Sequence, residues 1–252
     1  MRRIIFFLIV ALLAMSCNNQ KVNVKSDLAV ANIKGQVWKI DRKIHNACGS
    51  PVCPAAESPE VNNSSYEYDR NGNLLKMSEI DENGDTVVIS KYEYDRHGLC
   101  KSVEKYKENN LDSREVNNYK NGLLTQVSIQ DAEGKPRSSY KYEYSGIEQS
   151  GCRITNEKGE TVGSYVNEYS SGQLSKRTQL DKMGNPSNIT EYKRNDKNDI
   201  SEYIITVPSD SSVFRVVLDY EYDKKGNWVQ QTQRYNGDIM AIITRNIMYY
   251  DM

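Results

Sequence analysis

A seven-residue pattern, Tyr-x-Tyr-Asp-x-x-Gly, recurs along most of this chain and limits the folds that it can adopt. Copies that keep at least one tyrosine and the glycine occur about every 25 residues, at Tyr66, Tyr92, Tyr119, Tyr142, Tyr169 and Tyr220. A fixed period of this length indicates that each repeat is one supersecondary unit packed against its neighbours. The repeats therefore predict the architecture of the chain more directly than they predict its chemistry.

Each copy predicts a strand that runs into a tight turn. Alternating tyrosines favour a pleated, half-buried strand. Asp69 and Gly72 suit the first and fourth positions of a type I turn closed by a glycine with positive φ. A second turn signal, such as Asp81 to Gly84, lies midway through most repeats. Each unit thus holds two strands and two turns.

The number of strands decides the expected shape of the sheet. Roughly 15 strands are too many for an open twisted sheet, which rarely exceeds about ten without curling or splitting. We therefore predict an all-β fold, an antiparallel β-hairpin repeat array that forms a curved or rolled sheet. The segment Gly35 to Ile44 is expected to be the N-terminal cap, with Trp38 covering the first hairpin, and the last strands the C-terminal cap.

The recurring tyrosines, aspartates and glycines resemble the YD repeats of the RHS family from roughly Tyr66 to Asp251. The resemblance implies β-rich repeats whose hairpins curl, and which in long members build a hollow shell around a toxic cargo. About eight units, with no trailing domain, fit that cargo role poorly. An accessory or shell fragment of an RHS-type toxin system remains an alternative function.

The N-terminus predicts export. Arg2 and Arg3 precede an apolar run from Ile4 to Ala14, which is too short to span a bilayer and suits a signal peptide. The next residues, ending at Cys17, resemble the lipobox of bacterial lipoproteins, which implies cleavage before Cys17 and lipid on that residue. An ordinary signal peptide without lipid is the alternative. The expected segments are a signal peptide (1–16), a lipidated tether (17–33) and the repeat domain (34–252).

The residues that follow Cys17 bear on location. The chain resembles lipoproteins of the Bacteroides type, in which an early acidic cluster marks export to the cell surface. No acidic run follows Cys17 here. The resemblance therefore implies a cell-envelope protein, an outer-membrane lipoprotein that faces the periplasm and contacts the membrane through its lipid.

Four cysteines remain after Cys17. Cys48 and Cys53 enclose a short turn-rich loop, and an oxidising periplasm permits a disulfide between them. Metal binding or redox chemistry is the less favoured reading, because the spacing is not Cys-x-x-Cys. Cys100 and Cys152 would lie four strands apart, or about 19 Å, whereas a disulfide tolerates at most about 7 Å between Cα atoms. We expect these two to stay unpaired unless the sheet rolls upon itself.

Catalytic chemistry has little support. The chain contains two histidines, and one of them, His97, occupies a turn position. The glutamates between the tyrosines recur at the repeat period, which indicates an architectural role, and turn formation explains the aspartates. We predict neither an enzyme nor a cofactor or metal site. A formal charge of −1 without a basic patch argues against nucleic acid as a partner.

Two regions are candidates for binding. Period-2 alternation places eight tyrosines on common strand faces: Tyr66, Tyr68, Tyr92, Tyr94, Tyr142, Tyr144, Tyr220 and Tyr222. This stripe either packs the array together or binds a partner. The region 191–219 lacks the usual turn glycines, so enlarged loops are expected around the strand Ile200 to Val207. The leading function is a non-enzymatic envelope lipoprotein that binds a glycan, a peptide or an envelope protein; an enzyme with its site in 191–219 is the alternative.

Overall fold

In the computed structural model, which describes residues 24–46 and 63–251, the chain is almost entirely antiparallel β-sheet. This part contains one short helix, α1 (Asp27–Val30), and no helix long and apolar enough to cross a membrane. The strands are β1 (Val37–Asn46), β2 (Asn63–Tyr68), β3 (Leu74–Ile80), β4 (Thr86–Tyr94), β5 (Cys100–Lys107), β6 (Asn110–Lys120), β7 (Leu123–Asp131), β8 (Pro136–Ser145), β9 (Glu148–Asn156), β10 (Thr161–Ser170), β11 (Gln173–Leu180), β12 (Pro186–Arg194), β13 (Ile200–Val207), β14 (Ser212–Tyr222), β15 (Trp228–Tyr235) and β16 (Asp238–Tyr249). The predicted all-β, antiparallel fold class is confirmed.

The sheet is a closed barrel, whereas the predicted curved or rolled sheet did not specify whether the sheet closes. Consecutive strands pair throughout, and β1 pairs with both β2 and β16. Closure satisfies the backbone groups that two open edges would leave unpaired. The first and last strands are therefore paired members of the wall, and the predicted caps at β1 and β16 are not formed. Trp38 lies in the wall and is 39% exposed, so it does not cover a hairpin.

A β-bulge recurs at the same place in successive repeats and gives a reason for closure. The register shifts immediately before the second tyrosine of the repeat, for example at Tyr68, Tyr94, Tyr144 and Tyr222. A bulge adds one residue to one strand, bends it and increases its twist. Repeating this bend around the sheet curls it until its first and last strands meet.

The predicted turns are confirmed at the places where the sequence carries Asp-x-x-Gly. In the β2–β3 turn, the Asp69 carboxylate accepts from the backbone amides of Asn71 and Asn73, at 2.8 and 2.9 Å. The backbone amide of Gly72 donates to the Asp69 carbonyl oxygen at 3.0 Å. Turn formation thus uses the aspartates that recur in the sequence.

The enlarged loops predicted for 191–219 are absent from the wall that the structure describes. The β12–β13 turn has the same hydrogen bonds as the aspartate turns, with Asn195 accepting from the amides of Lys197 and Asp199. Asn198 takes the position of the glycine, with φ 71°. Asparagine tolerates this left-handed conformation, so the glycine was not needed.

Residues 24–36, here called the N-terminal plug, fill part of one barrel mouth. Leu28 and Ile33 are buried against the inward-facing residues Val37, Ile40 and Tyr68. The backbone amide of Leu28 donates to the Gly72 carbonyl oxygen at 3.0 Å. Residues 26–33 belong to the stretch that the sequence assigned to a tether, and Leu28 and Ile33 within it pack against the barrel wall.

The plug spans the mouth between distant turns. Asn227 lies in the β14–β15 turn, across the β1–β16 seam from the β2–β3 turn. The Lys34 amide donates to Asn227 Oδ1 at 2.7 Å, and Asn227 Nδ2 donates back to the Lys34 carbonyl at 2.8 Å. Asn227 is 1% exposed. Asn32 Nδ2 donates to the Lys197 carbonyl oxygen of the β12–β13 turn at 3.0 Å. The plug therefore fastens both flanks of the β1–β16 seam.

Candidate functional site

The two faces of the barrel wall have different compositions. The eight tyrosines of the predicted stripe point inward, towards the space enclosed by β1 to β16, which we call the lumen. Their intervening glutamates point outward, and Glu93, Glu143 and Glu221 are exposed. Barrels of 16 to 18 strands are wide enough to leave a channel between their inner side chains. The lumen is therefore the candidate binding site.

One set of inward tyrosines fastens neighbouring hairpins. The Tyr144 hydroxyl donates to the carbonyl oxygen of Leu124 at 2.9 Å, and the Tyr94 hydroxyl, which shares its single proton with a second acceptor, lies 2.8 Å from the carbonyl oxygen of Leu74. Equivalent bonds run from Tyr119, Tyr169 and Tyr220 to the carbonyls of Cys100, Gln149 and Ile200. Each bond joins a strand to the start of the strand before it. These tyrosines have a structural task.

Other inward tyrosines line the lumen at mid-height. Tyr92, Tyr142 and Tyr203 are half-buried rather than fully buried, so part of each side chain is accessible. Burial raises the pKa of each of these hydroxyls, so the neutral phenol is present at physiological pH. Aromatic rings with a hydroxyl present both an apolar face and a polar edge. Such a surface suits ligands that carry rings and hydroxyl groups.

Charged groups also face the lumen, and cations outnumber anions between the rims. By strand register, the inward cations are Arg42, Lys105, Arg177, Arg194 and Arg245, and the inward carboxylates are Glu79 and Glu115. Lys105 Nζ lies 3.8 Å from Glu79 Oε1. These residues lie outside the tyrosine pattern of the repeat. Counting alternate positions back from each tyrosine would have indicated their inward direction.

Two of the arginines stack on aromatic rings of the inner wall. The Arg177 guanidinium carbon lies 4.2 Å from the centre of the Tyr165 ring, and Arg177 Nε donates to Asn167 Oδ1 at 2.9 Å. The Arg245 guanidinium carbon lies 3.3 Å from the centre of the Trp228 ring. Stacking leaves the edges of a guanidinium free to donate hydrogen bonds.

The outer wall carries two rows of mostly charged residues. One row of neighbouring residues crosses six consecutive strands, through Lys39, Glu67, Lys76, Lys91, Glu104 and Arg114. A second row, crossing β10 to β14, contains Glu168, Lys176, Glu191, Ile204 and Arg215. Within these rows, Lys76 pairs with Glu67 at 3.0 Å and Arg114 pairs with Glu104 at 2.6 Å. The outer wall thus carries ion pairs along both rows.

The region 191–219 contributes a shallow groove of about 300 Å³ to this outer wall. Its carboxylate Glu202 is paired with Lys193 at 2.8 Å and with Arg215. Glu202 has little exposure because these two cations cover it, although it lies on the outer face. Their hydrogen bonds lower the pKa of Glu202. This carboxylate is therefore held ionised and neutralised, which does not favour proton transfer.

The cysteines divide into two groups. Cys17, Cys48 and Cys53, the predicted lipidation and disulfide positions, lie outside the described residues. Cys100 and Cys152 are free thiols. Burial raises the pKa of Cys100 to about 12 and that of Cys152 to about 11, so both remain protonated and unreactive. Within 24–46 and 63–251, no three His, Cys, Asp or Glu side chains are grouped to hold a metal ion.

Together, the wall and its plug define a closed, antiparallel β-barrel of 16 strands with one partly filled mouth. Its fold is similar to two solved structures. One is a porin-like protein from Bacteroides uniformis, with a TM-score of 0.57 and 12% identity, over 84% of this chain and 96% of the other. The second is a porin-like protein from Bacteroides vulgatus, with a TM-score of 0.51 and 12% identity, over 87% and 100%. No protein-family model and no curated protein matches the chain.

Proposed function

We propose that this protein is a binding barrel of the cell envelope, held at the membrane by lipid on Cys17, that receives its ligand in the lumen. The observation that carries the proposal is the distribution of charge and aromatic rings between the two faces. The outer wall carries the ion-paired rows, and the lumen carries the tyrosines. This arrangement suits a barrel wall in water around an aromatic interior.

A membrane pore is the second candidate, and the similarity to porin-like structures favours it. A barrel that crosses the outer membrane presents an apolar band about 25 Å tall to lipid. Lys91, Glu104 and Arg114 lie halfway along β4, β5 and β6 on the outer wall. A lysine or arginine in that position costs about 2–4 kcal/mol at the bilayer midplane. The charged rows therefore favour the binding barrel over the pore.

The ligand class follows from the inner wall. Rings such as Tyr92 and Tyr142 offer stacking surfaces, and the inward arginines offer donors. Aromatic side chains placed on rigid strands are effective binding anchors. A glycan with acidic substituents suits this combination best. Such a protein acts by binding, without chemical change to the ligand.

The test compares the wild type with Cys17→Ser, each separated into membrane and soluble fractions before purification. We expect the substitution to release a folded, monodisperse barrel that stays in solution without detergent, because the lipid is its membrane attachment. Neither form should conduct ions when added to a planar lipid bilayer. Release of Cys17→Ser from the membrane, together with no ion conductance by either form, supports the proposal. Membrane retention of Cys17→Ser with stepwise conductance would overturn it in favour of the pore.

A further inference from the structure

Two arginines face each other across the seam of the barrel. β1 and β16 pair in a register that sets Arg42 directly opposite Arg245, and both side chains are on the lumen face. Like charges placed directly opposite in a sheet repel and destabilise it. A folded protein can keep such a pair when an opposite charge compensates for the repulsion. An anion bound between the two guanidinium groups would provide that charge.

Neither arginine has a carboxylate partner among the described residues. The ion pairs in that part of the chain involve other cations. Nη1 of Arg245 is buried and has no hydrogen-bond acceptor there. A buried guanidinium nitrogen without an acceptor costs free energy, because it has lost its hydrogen bonds to water and has formed none in the protein. The site therefore lacks an acceptor.

Asp199, whose charge acts on Arg245, and the inward Glu79 are both already engaged. Asp199 accepts from the Tyr222 hydroxyl at 2.9 Å and from Asn32 Nδ2 at 3.4 Å. Arg42 lies opposite Ser64 of β2, and Ser64 lies opposite Glu79 of β3. Glu79 is therefore separated from Arg42 by one strand, and it pairs with Lys105. Burial and the neighbouring Arg42 lower the pKa of Arg245 to about 10, which agrees with an electropositive site of low polarity.

The surroundings fix the geometry of the site. The Arg245 guanidinium carbon lies 3.3 Å from the centre of the Trp228 ring, and this contact restrains the guanidinium. Ser64, which is 5% exposed, lies opposite Arg42 on the other side and offers a hydroxyl. A planar guanidinium held in place can donate two parallel hydrogen bonds to one anionic group.

We propose that Arg42 and Arg245 form an anion-binding subsite in the lumen, for a carboxylate, sulfate or phosphate group. This inference rests on the proposed function in one respect, since the anion must enter the lumen. The shared chemistry is a group with two or more negatively charged oxygens. An acidic sugar or a free inorganic anion supplies it.

Trp228 provides the signal for the test. The chain has two tryptophans, Trp38 and Trp228, so Trp38→Phe leaves Trp228 as the single indole. In this background, Arg42→Gln and Arg245→Gln are compared with Lys43→Gln. Lys43 follows Arg42 in β1 but is exposed on the outer wall. Sodium phosphate and sodium glucuronate are titrated, with sodium chloride at matched ionic strength as the reference.

We expect a saturable change in Trp228 emission with phosphate or glucuronate, and no saturation with chloride. Arg42→Gln and Arg245→Gln should each weaken the apparent affinity about tenfold or more, as for the loss of one charged hydrogen-bonding partner. Lys43→Gln should leave the affinity unchanged. Saturation by glucuronate but not phosphate identifies a sugar acid, whereas saturation by both identifies the anionic group alone. Arg245→Lys, which keeps the charge, tests the site if Arg245→Gln fails to fold.

Acrylamide quenching separates this inference from the proposed function. If neutral acrylamide quenches Trp228 and neither anion changes its emission, the lumen is accessible and the anion subsite is wrong. If acrylamide does not reach Trp228 in the folded protein, the accessible lumen is wrong and the subsite falls with it. Equal affinities of Lys43→Gln and Arg42→Gln would also overturn the subsite.

Discussion

The Tyr94 hydroxyl donates to Asp27 Oδ2 at 2.6 Å, although the two residues are 67 positions apart in the sequence. The same carboxylate oxygen accepts from the backbone amide of Leu74 at 2.7 Å. Asp27 belongs to the N-terminal plug, whereas Leu74 and Tyr94 belong to β3 and β4. One carboxylate therefore fastens the plug to two strands of the wall.

A double-mutant cycle should measure this fastening. Asp27→Asn and Tyr94→Phe should each lower the free energy of unfolding by about 1–3 kcal/mol, because the first removes the charge that strengthens this hydrogen bond and the second removes its donor. The double variant should lose less than the sum, since the two changes remove the same bond. Urea unfolding followed by circular dichroism gives the values.

Glu93→Ala is the control for that cycle. Glu93 lies next to Tyr94 on the outer wall, and its side chain is 65% exposed, although it pairs with Lys101 at 3.1 Å. An exposed ion pair contributes about 0–1 kcal/mol. We expect Glu93→Ala to shift the unfolding midpoint very little. A loss as large as that of Tyr94→Phe would show that our inner and outer assignments are reversed.

Two turn glycines differ in whether the N-terminal plug lies against them, and an alanine substitution at each can measure this difference. Gly72 and Gly84 have φ of +84° and +90°, so alanine is strained at both. A Cβ at Gly72 would lie 2.9 Å from Ser26 Oγ in the plug, whereas a Cβ at Gly84 would meet nothing within 4 Å. Gly84→Ala should cost about 1–2 kcal/mol from the backbone alone.

Gly72→Ala should cost more than Gly84→Ala, and the excess reports on the plug. We also expect faster amide hydrogen exchange at Leu28, whose amide bonds to the Gly72 carbonyl. Equal losses of stability with unchanged exchange at Leu28 would indicate that the plug does not press on this turn.

Glu115 should make the barrel less stable as the pH rises. Burial raises the pKa of this inward carboxyl above its ordinary value of 4.5, and Lys105 offsets the shift only in part. Between the ordinary and the raised pKa, the folded state binds a proton that the unfolded state has released. Stability from this group is therefore complete below the ordinary pKa and is lost as pH rises through the folded-state pKa.

Glu115→Gln should remove that loss, because a neutral amide has no charge to desolvate. Chemical unfolding of both proteins at several pH values above 4.5 tests this prediction. The difference in stability should grow with pH in favour of the variant. The turn carboxylates Asp95 and Asp181, whose pKa is lowered by backbone hydrogen bonds, act in the opposite direction and are common to both proteins. A constant difference across the series would refute the prediction.

Deleting one repeat should leave a smaller closed barrel. Removal of residues 95–119 joins β4 to the β6–β7 turn, so β4 takes the place of β6 and runs in the same direction. The remaining strands are even in number, and β1 can still pair antiparallel with β16. Thermal unfolding and size-exclusion chromatography should show a folded monomer.

Deletion of residues 95–107 is the matched control, since it removes one turn and β5. An odd number of strands cannot close in an all-antiparallel barrel. This variant should aggregate or unfold at low temperature. Equal thermal stability of the two deletions would contradict the role of the repeat as the building unit.

Local features of the fold could be predicted from the sequence, whereas closure could not. Asp69 and Gly72 determine their turn within four residues, and Tyr92 and Tyr94 share a face by alternation alone. The pairing of β1 with β16 depends on the bend that accumulates over all the repeats, which no single repeat displays. The plug was missed because polar residues such as Asn32 and Lys34 bind turn carbonyls and Asn227 rather than forming an apolar pattern.

The candidate site shows the same division. The inward direction of Tyr142 follows from its own repeat. Arg42 and Arg245 belong to strands without the tyrosine pattern, and their juxtaposition follows from the register of the closing pair. A search for catalytic types overlooks such residues, because arginine on a strand usually faces solvent.

The ladder between β1 and β16 joins Ile44 to Ile243. The first strand of the wall therefore cannot complete its pairing until the last strand has formed. Folding of this chain has a late step of very high contact order, and such steps are slow. During that interval the seam can recruit a strand from another molecule as readily as its own. Concentration during refolding should therefore decide between single barrels and strand-exchanged oligomers, and the plug, which fastens both flanks of the seam, favours the single barrel.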